Sequence, residues 1–389
     1  MDFQRNTDLK PYNTFGISAK CDRFTVLENI DQIPEIIRFL DKETPKNTTS
    51  YTRHCVPNLI RDLPQSSENS VFNKEMLKQV QHDGSIFRSF HNNPNPVLIL
   101  GNGSNLLFVN DFKGVVILNR IKGLQIVSET EDDITLAVGA GENWRDFVSY
   151  CVENNWGGVE NLADIPGTIG ASAVQNIGAY DMEAENSIVS VTAYNLQTGE
   201  KRIFSKQECC FNYRSSIFKT DEYQHFIITS VTYQLHKKPL PRTSYKVLQT
   251  ALSEKNITFP TIRDIYYIVK ELRASKLPDE TILHNAGSFF KNPVVSMEHA
   301  QNIQKNHPEM PLFPLSDGCA KLAAGWLIEQ CGLKSYRKND AGIHQKQALV
   351  LVNYVTATGT QIMKIAQLAI QTVMEKFGVL LEPEVVIIQ

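Results

Sequence analysis

Three small-residue loops follow one another between Gly101 and Ala179, and they constrain this chain more than any other feature. The strand-like run PVLIL ends in Gly101-Asn102-Gly103-Ser104-Asn105. The run ITLAV ends in Gly139-Ala140-Gly141, and the third loop region, IPGTIGASAVQNIGAY, carries Ile165, Pro166, Gly167, Gly170, Ala171, Ile177, Gly178 and Ala179. Glycine leaving a strand lets backbone N–H groups approach a phosphate closely, at a cost in chain entropy. A single loop of this kind is most simply a tight turn. Three in succession suit an extended ligand with a pyrophosphate, such as a flavin dinucleotide. None reads G-x-G-x-x-G, because Leu106 and Trp144 stand where the third glycine belongs, and there is no Walker A sequence.

The 389 residues exceed one ordinary core, so two or three domains are expected. NIDQIPEIIRFLDK reads as a helix with Ile33, Ile36, Ile37 and Leu40 on one side. Residues 43–95 differ in kind. They are dense in Ser, Asn, Gln and Pro, and read as an exposed, partly disordered insertion. Beyond them, NWRDFVSYCVENNW and TIRDIYYIVKELRASK are amphipathic helices, and SIVSVTAYNL and FIITSVTYQL alternate as antiparallel strands do. AAGWLIEQCGLK and TQIMKIAQLAIQTVMEKFG are helices closed by Gly332 and Gly378, and EVVIIQ is a final strand. Strands and helices in this order give an α+β or mixed α/β protein.

Composition excludes several classes. A net charge of −3 argues against a nucleic-acid binder with a broad basic face. The start, MDFQRNTDLKPYN, has no apolar core of a secretory signal, and no run approaches the roughly 20 apolar residues of a membrane span. Seven cysteines without a CxxC pair suggest reduced thiols in cytoplasm. Nine histidines form no HExxH or HxxxH pattern, so no metal site is expected. The stretch HNAGSFFKNP places Ser288 after Gly287, which leaves the hydroxyl unshielded on one side. A turn serine is the plain reading; a polar atom aimed into an apolar pocket is the alternative.

Eight motifs occur in order: PYNTFGI, LGNGSNLLF, GAGENW, ENLADIPGTIGASAVQNIGAY, FNYRSSIFK, NAGSFFKNP, KLAAGWLIEQCGLK and LEPEV. With them the chain resembles the UDP-N-acetylenolpyruvoylglucosamine reductase (UDP-N-acetylmuramate dehydrogenase) family, first type, over its whole length except the insertion. The resemblance implies an α+β protein with an FAD-binding domain of the vanillyl-alcohol-oxidase (PCMH) type and a smaller α/β substrate-binding domain. The flavin region would span 1–42 and 96–270 as two subdomains, with strand 379–389 returning to it. Residues 271–378 would bind substrate.

The implied reaction passes a hydride from NADPH through FAD to the enolpyruvyl group of UDP-N-acetylglucosamine enolpyruvate, in peptidoglycan precursor synthesis. Ser288 stands at the family's proton-donor position, Arg214 at its catalytic arginine and Glu384 at its third catalytic position. Glu382 rivals Glu384, and only the match of LEPEV picks between them. Tyr213, Tyr245, Lys276, Asn292, Lys334 and Gln347 are the implied substrate residues, and SYKVL around Tyr245 resembles a loop that closes over substrate. The flavin would lie along Gly101 to Asn105, Gly139 to Gly141, and Ile165 to Ala179. A cytoplasmic monomer without nucleic-acid, membrane or metal partners is expected. Two departures stand out: Asp181 where the family usually has glycine, and Val386 where some members carry arginine. The rivals are another FAD oxidase or dehydrogenase on the same scaffold, and a non-catalytic UDP-sugar binder.

Overall fold

The run VVIL within Phe112–Asn119 is apolar at every position, as suits a strand covered on both faces. The computed structural model describes residues 1–43 and 96–389. The expected insertion, 43–95, therefore lies outside the described residues except for Glu43. The first elements are Gln4–Asp8 (β1), Lys20–Leu27 (β2), the helix Ile33–Glu43 (α1), Val97–Leu100 (β3), Leu106–Phe108 (β4) and Phe112–Asn119 (β5). One sheet runs β1-β2-β5-β3, with β1 and β2 antiparallel and β5 parallel to both of its neighbours. On α1, Ile33 and Ile36 are buried and Ile37 and Leu40 half-buried, the face that the periodicity predicts.

A second, antiparallel sheet follows. Its strands are Leu124–Glu129 (β6), Asp133–Gly139 (β7), Ile188–Asn195 (β10), Lys201–Ser205 (β11) and Phe226–His236 (β12), in the order β11-β10-β12-β7-β6. Between β7 and β10 come Trp144–Glu153 (α2), Ile169–Gln175 (α3) and a hairpin of Gly178–Ala179 (β8) with Met182–Glu183 (β9). Lys246–Glu254 (α4) and Ile262–Lys276 (α5) complete this part. Ile134, Leu136 and Val138 alternate onto one face of β7 and share a buried cluster with Trp144, Phe147 and Val148 of α2 and Ile265 and Val269 of α5.

The stretch read from sequence as loop, IPGTIGASAVQNIGAY, contains α3. Thr168 caps it by accepting from Ala171 N at 3.4 Å, and Asn176 ends it in the left-handed region at φ 44°. Its small residues serve close packing rather than disorder: a Cβ on Gly170 would stand 3.0 Å from Ala140 Cβ.

The C-terminal part holds His284–Ser288 (β13), Val294–Ser296 (β14), Met297–Asn306 (α6), Leu312–Pro314 (β15), Cys319–Leu322 (β16), Ala324–Gln330 (α7), Arg337–Lys338 (β17), Ala341–Ile343 (β18), Val350–Asn353 (β19), Gly359–Phe377 (α8) and Val386–Ile388 (β20). Two antiparallel sheets run β13-β19-β18-β17 and β14-β16-β15. Gly332 (φ 72°) follows α7 and Gly378 (φ 64°) caps α8. The last strand, β20, pairs in parallel with β4. One buried cluster joins Phe15, Phe24, Leu107 and Phe108 to Phe289, Phe290, Leu327, Ile362 and Ile370, so both ends of the chain share a core. Among the described residues no helix is long and apolar enough to cross a membrane.

Candidate active site

Ser288 sits beyond a bulge in β13. Asn285 opposes Val352 and Ser288 opposes Val350, so β13 carries one more residue than its partner over that interval. Gly287 makes the bulge at φ 68°, where an added Cβ would meet nothing within 4 Å. Backbone conformation, not space, is what calls for glycine here. Asn285, buried, accepts from Gly287 N at 2.8 Å and fixes the turn. Phe289 and Phe290, at 0% and 1% exposure, anchor the residues that follow. Half-buried Ser288 keeps its hydroxyl free of hydrogen bonds among the described residues.

Arg214 lies at the tip of a two-residue turn closed by reciprocal Asn212–Ser215 backbone bonds of 3.0 and 2.9 Å. Its φ of 52° is unusual for a side-chain-bearing residue. The guanidinium is gripped from several sides. Nη2 donates to Gly178 O at 2.5 Å, Nε meets Glu384 Oε1 at 3.0 Å, and Nη1 lies 3.8 Å from Glu183 Oε1. Nη1 is buried without a hydrogen-bond partner, which leaves its N–H groups unsatisfied. A Cβ at Gly178 would stand 2.6 Å from Nη1, so a side chain there would displace the guanidinium. The Tyr213 ring lies 5.1 Å from the guanidinium carbon and 5.0 Å from Lys321 Nζ. Lys219 Nζ donates to Arg214 O at 2.7 Å.

The two glutamates of LEPEV part company. Glu382 turns to Lys291 Nζ at 3.6 Å and is half exposed, whereas Glu384 faces Arg214. Glu384 N donates to Phe289 O at 2.8 Å, which brings its backbone beside the Ser288 segment. Burial pushes the Glu384 carboxyl above the ordinary carboxylate range, against the opposing pull of Arg214, Lys219 and Lys291. Burial likewise raises Glu183 and the Tyr213 phenol, with Arg214 opposing both.

A cavity of about 1120 Å³, counting its open mouth, adjoins this cluster. Gly101 to Asn105 line it together with Asn119, Ala140, Thr168, Gly170, Ala171, Gln175, Val386 and an apolar wall of Phe218, Phe226 and Ile228. Gly103, at φ 63°, leaves no room for a side chain, because a Cβ would stand 2.0 Å from Tyr12 O. The loops brace one another: Asn102 Nδ2 donates to Gly167 O and Ser104 Oγ to Pro166 O, both at 3.2 Å. Asn105 Nδ2 donates to Glu384 O at 3.2 Å and ties the cavity to the Arg214 cluster. Gln175 Oε1 is buried without a partner and suits an N–H of a heterocycle. A cavity with a glycine loop, an apolar wall and an orphaned acceptor fits FAD. Gly139 and Gly141 bracket the lining Ala140; Ile165, Pro166, Gly167, Ile177, Gly178 and Ala179 are not among the lining residues.

The expected substrate residues are spread more widely. Asn292 Oδ1 accepts from Ala324 N at 3.0 Å, and Gln347 Oε1 lies 3.4 Å from Leu349 N. Lys334 pairs with Glu329 at 2.7 Å, and Lys276 is exposed at the end of α5. Tyr245 is the N-cap residue of α4, edge-on to Tyr180 at 5.5 Å. Among the described residues none of Tyr245, Lys276 and Lys334 bonds to Ser288, Arg214 or Glu384. Sequence reading missed Glu183, Lys219 and Lys321 around Arg214, and Asn119 and the apolar wall of the cavity; Thr168 and Gln175 fall inside the Ile165 to Ala179 stretch expected to hold the flavin.

A family model described as UDP-N-acetylenolpyruvoylglucosamine reductase, C-terminal domain, matches residues 278–388, and one described as FAD binding domain matches residues 78–204. The UDP-N-acetylenolpyruvoylglucosamine reductase of Chromobacterium violaceum is 39% identical over 389 residues, covering 100% of this chain and 99% of its own. That of Flavobacterium johnsoniae is 38% identical over 389 residues and all of both chains. That of Porphyromonas gingivalis is 48% identical over 289 residues, 74% of this chain and 85% of its own. The crystal structure of the Thermus caldophilus reductase superposes with a TM-score of 0.60 at 19% identity, over 100% of both chains, and shows the fold. The architecture is α+β and includes an FAD binding domain.

Proposed function

The chain belongs to the UDP-N-acetylenolpyruvoylglucosamine reductase family, and from that premise we propose that it is an FAD-dependent oxidoreductase using NADPH to convert UDP-N-acetylglucosamine enolpyruvate into UDP-N-acetylmuramate. The role is peptidoglycan precursor synthesis, carried out by a cytoplasmic monomer. Gly101 to Asn105, Thr168, Gly170, Ala171 and the wall of Phe218, Phe226 and Ile228 would hold FAD, which would supply hydride transfer from NADPH to the methylene carbon of the enolpyruvyl ether.

The chain's own residues handle the charge that results. Electron density arriving at the methylene carbon builds negative charge on the neighbouring carbon and its carboxylate. Arg214 meets that charge with Nη1, the donor left without a partner. Because Gly178, Glu384 and Glu183 already orient the guanidinium, little reorganisation is needed as charge develops. Glu384, raised by burial, retains a proton more readily than an ordinary carboxyl and can donate to the enolate from the oxygen not bound to Arg214. Ser288 Oγ gives the carbon its proton. Tyr213, Asn292 and Gln347 contact substrate close to this centre. Tyr245, Lys276 and Lys334 take the sugar nucleotide's diphosphate further out, within or beside residues 271–378.

The observation that carries this reading is the braced Arg214 with its buried spare donor. Anaerobic mixing tests it. NADPH should bleach the flavin, and the enolpyruvyl sugar nucleotide should restore its colour. Ser288→Ala should bleach at nearly the wild-type rate and recolour at least about 100-fold more slowly. Recolouring by oxygen alone would indicate an oxidase, and ligand binding without turnover a UDP-sugar binder.

A further inference from the structure

The β8–β9 hairpin turns on Tyr180 (φ 48°) and Asp181 (φ 64°), both in the left-handed region that two-residue hairpin turns require. Aspartate is less comfortable there than glycine, so its side chain invites a reason. Among the described residues Asp181 makes one side-chain hydrogen bond: Oδ2 accepts from Ser244 Oγ at 2.5 Å. Ser244 immediately precedes Tyr245.

The same hairpin turn holds this segment at two further points. Asn161, fully buried, donates through Nδ2 both to Tyr180 O and to Arg242 O, each at 3.0 Å. Tyr180 meets the Tyr245 ring edge-on, with 82° between the planes. The Arg242 carbonyl, the Ser244 hydroxyl and the Tyr245 ring are thus fixed in turn to one rigid turn. Asn161 anchors from the interior, whereas Asp181 and Ser244 are exposed and bond through a short, directional contact.

We propose that the Asp181–Ser244 bond is a latch that sets the position of Tyr245, making Asp181 a positioning residue for sugar-nucleotide binding. The inference rests on the proposed role of Tyr245. Releasing the latch frees Ser244 and Tyr245 to leave the hairpin while Asn161 still holds Arg242, and Tyr245 must then be ordered when ligand binds, which weakens affinity.

Three variants test it. Asp181→Gly removes the acceptor while relieving the turn, so it should fold at least as well as the wild type. Asp181→Asn keeps both a left-handed preference and an acceptor oxygen. Ser244→Ala removes the donor. Titration of the FAD-loaded protein with the enolpyruvyl sugar nucleotide, read by perturbation of the flavin spectrum, should show affinity about fivefold weaker for Asp181→Gly and Ser244→Ala. Asp181→Asn should stay within about twofold of the wild type, and the Gly/Ala double variant should be no weaker than either single variant. The amides of Leu248 and Gln249, which donate to Tyr245 O, should exchange faster in Asp181→Gly and Ser244→Ala. Wild-type affinity in those two, an Asn variant as weak as the Gly variant, additive losses in the double variant, or unchanged exchange would each overturn the latch. If the wild type gives no response to the sugar nucleotide, the proposed function falls, and amide exchange still decides the latch.

Discussion

Glu384 is held between two opposed influences. Burial drives its carboxyl toward the neutral form, and Arg214, 3.0 Å away, draws it toward the charged one. Burial is the larger effect, so the folded protein binds this proton more tightly than the unfolded chain does. The sign of the pH dependence follows. The stability gained from that proton is fully present below the unfolded glutamate pKa of about 4.3, and is lost as pH rises through the raised folded value. Glu384→Gln has no proton to lose. The melting temperature of the wild type relative to Glu384→Gln should therefore fall as pH rises through that window and level off above it. A difference that grows with pH instead would show Arg214 outweighing burial. The same residue illustrates what could be read in advance. In LEPEV both glutamates follow similar neighbours, and nothing in their spacing separates them. Only the folded chain turns Glu382 to Lys291 and Glu384 to Arg214.

Two glycines show how elements enforce the site in different ways. Gly103 combines a φ of 63° with a backbone carbonyl, Tyr12 O, 2.0 Å from where a Cβ would lie. Thr14 N also donates to Gly103 O at 3.1 Å, so neither strand of chain can easily give way. Gly287 has a similar φ of 68° but open space around it. Gly103→Ala should thus cost well over about 1 kcal/mol and release flavin, while Gly287→Ala should cost only about 1 kcal/mol of backbone strain and keep the flavin. Thermal melts and flavin absorbance of the purified variants check both. Comparable losses of stability and colour in the two would mean that backbone conformation alone, not the Tyr12 contact, governs Gly103. At this scale the sequence was legible wherever local chemistry dictates structure. The helix Ile262–Lys276 was readable from its apolar spacing, and the structure adds a Thr261–Asp264 capping box. The helix Ile169–Gln175 was not, because Gly170, Ala171 and Ala173 look like loop residues until Ala140 is seen packed against them.

For the molecule as a whole, periodicity gives each segment its type but not the meeting of distant segments. No spacing rule brings Arg214 to Gly178, Glu183 and Glu384, or places Lys321 by Tyr213; residues of one buried cluster flank Gly178 and Glu183, and residues of another flank Glu384 and Lys321. Glu43 and Pro96, which flank residues 44–95, are both tied to the first sheet. Glu43 Oε1 meets Arg23 Nη2 at 3.3 Å on β2, and Pro96 O accepts from Val115 N at 2.9 Å on β5. Arg23 and Val115 are register partners across the β2–β5 pairing. The two ends are therefore fastened at one point of one sheet, on residues that are not among those lining the flavin cavity. Joining 43 to 96 through a short glycine-serine linker in place of 44–95 should leave the β2–β5 pairing intact, and closing the shorter loop should cost the chain less entropy than the native connection does. The shortened protein should purify yellow, bleach with NADPH and recolour with the enolpyruvyl sugar nucleotide at rates within about threefold of the full chain, a change of under about 1 kcal/mol in barrier. A colourless product that takes up no added FAD would show that 44–95 supports the fold itself, and a yellow product that cannot be recoloured by the sugar nucleotide would place its influence on the substrate side.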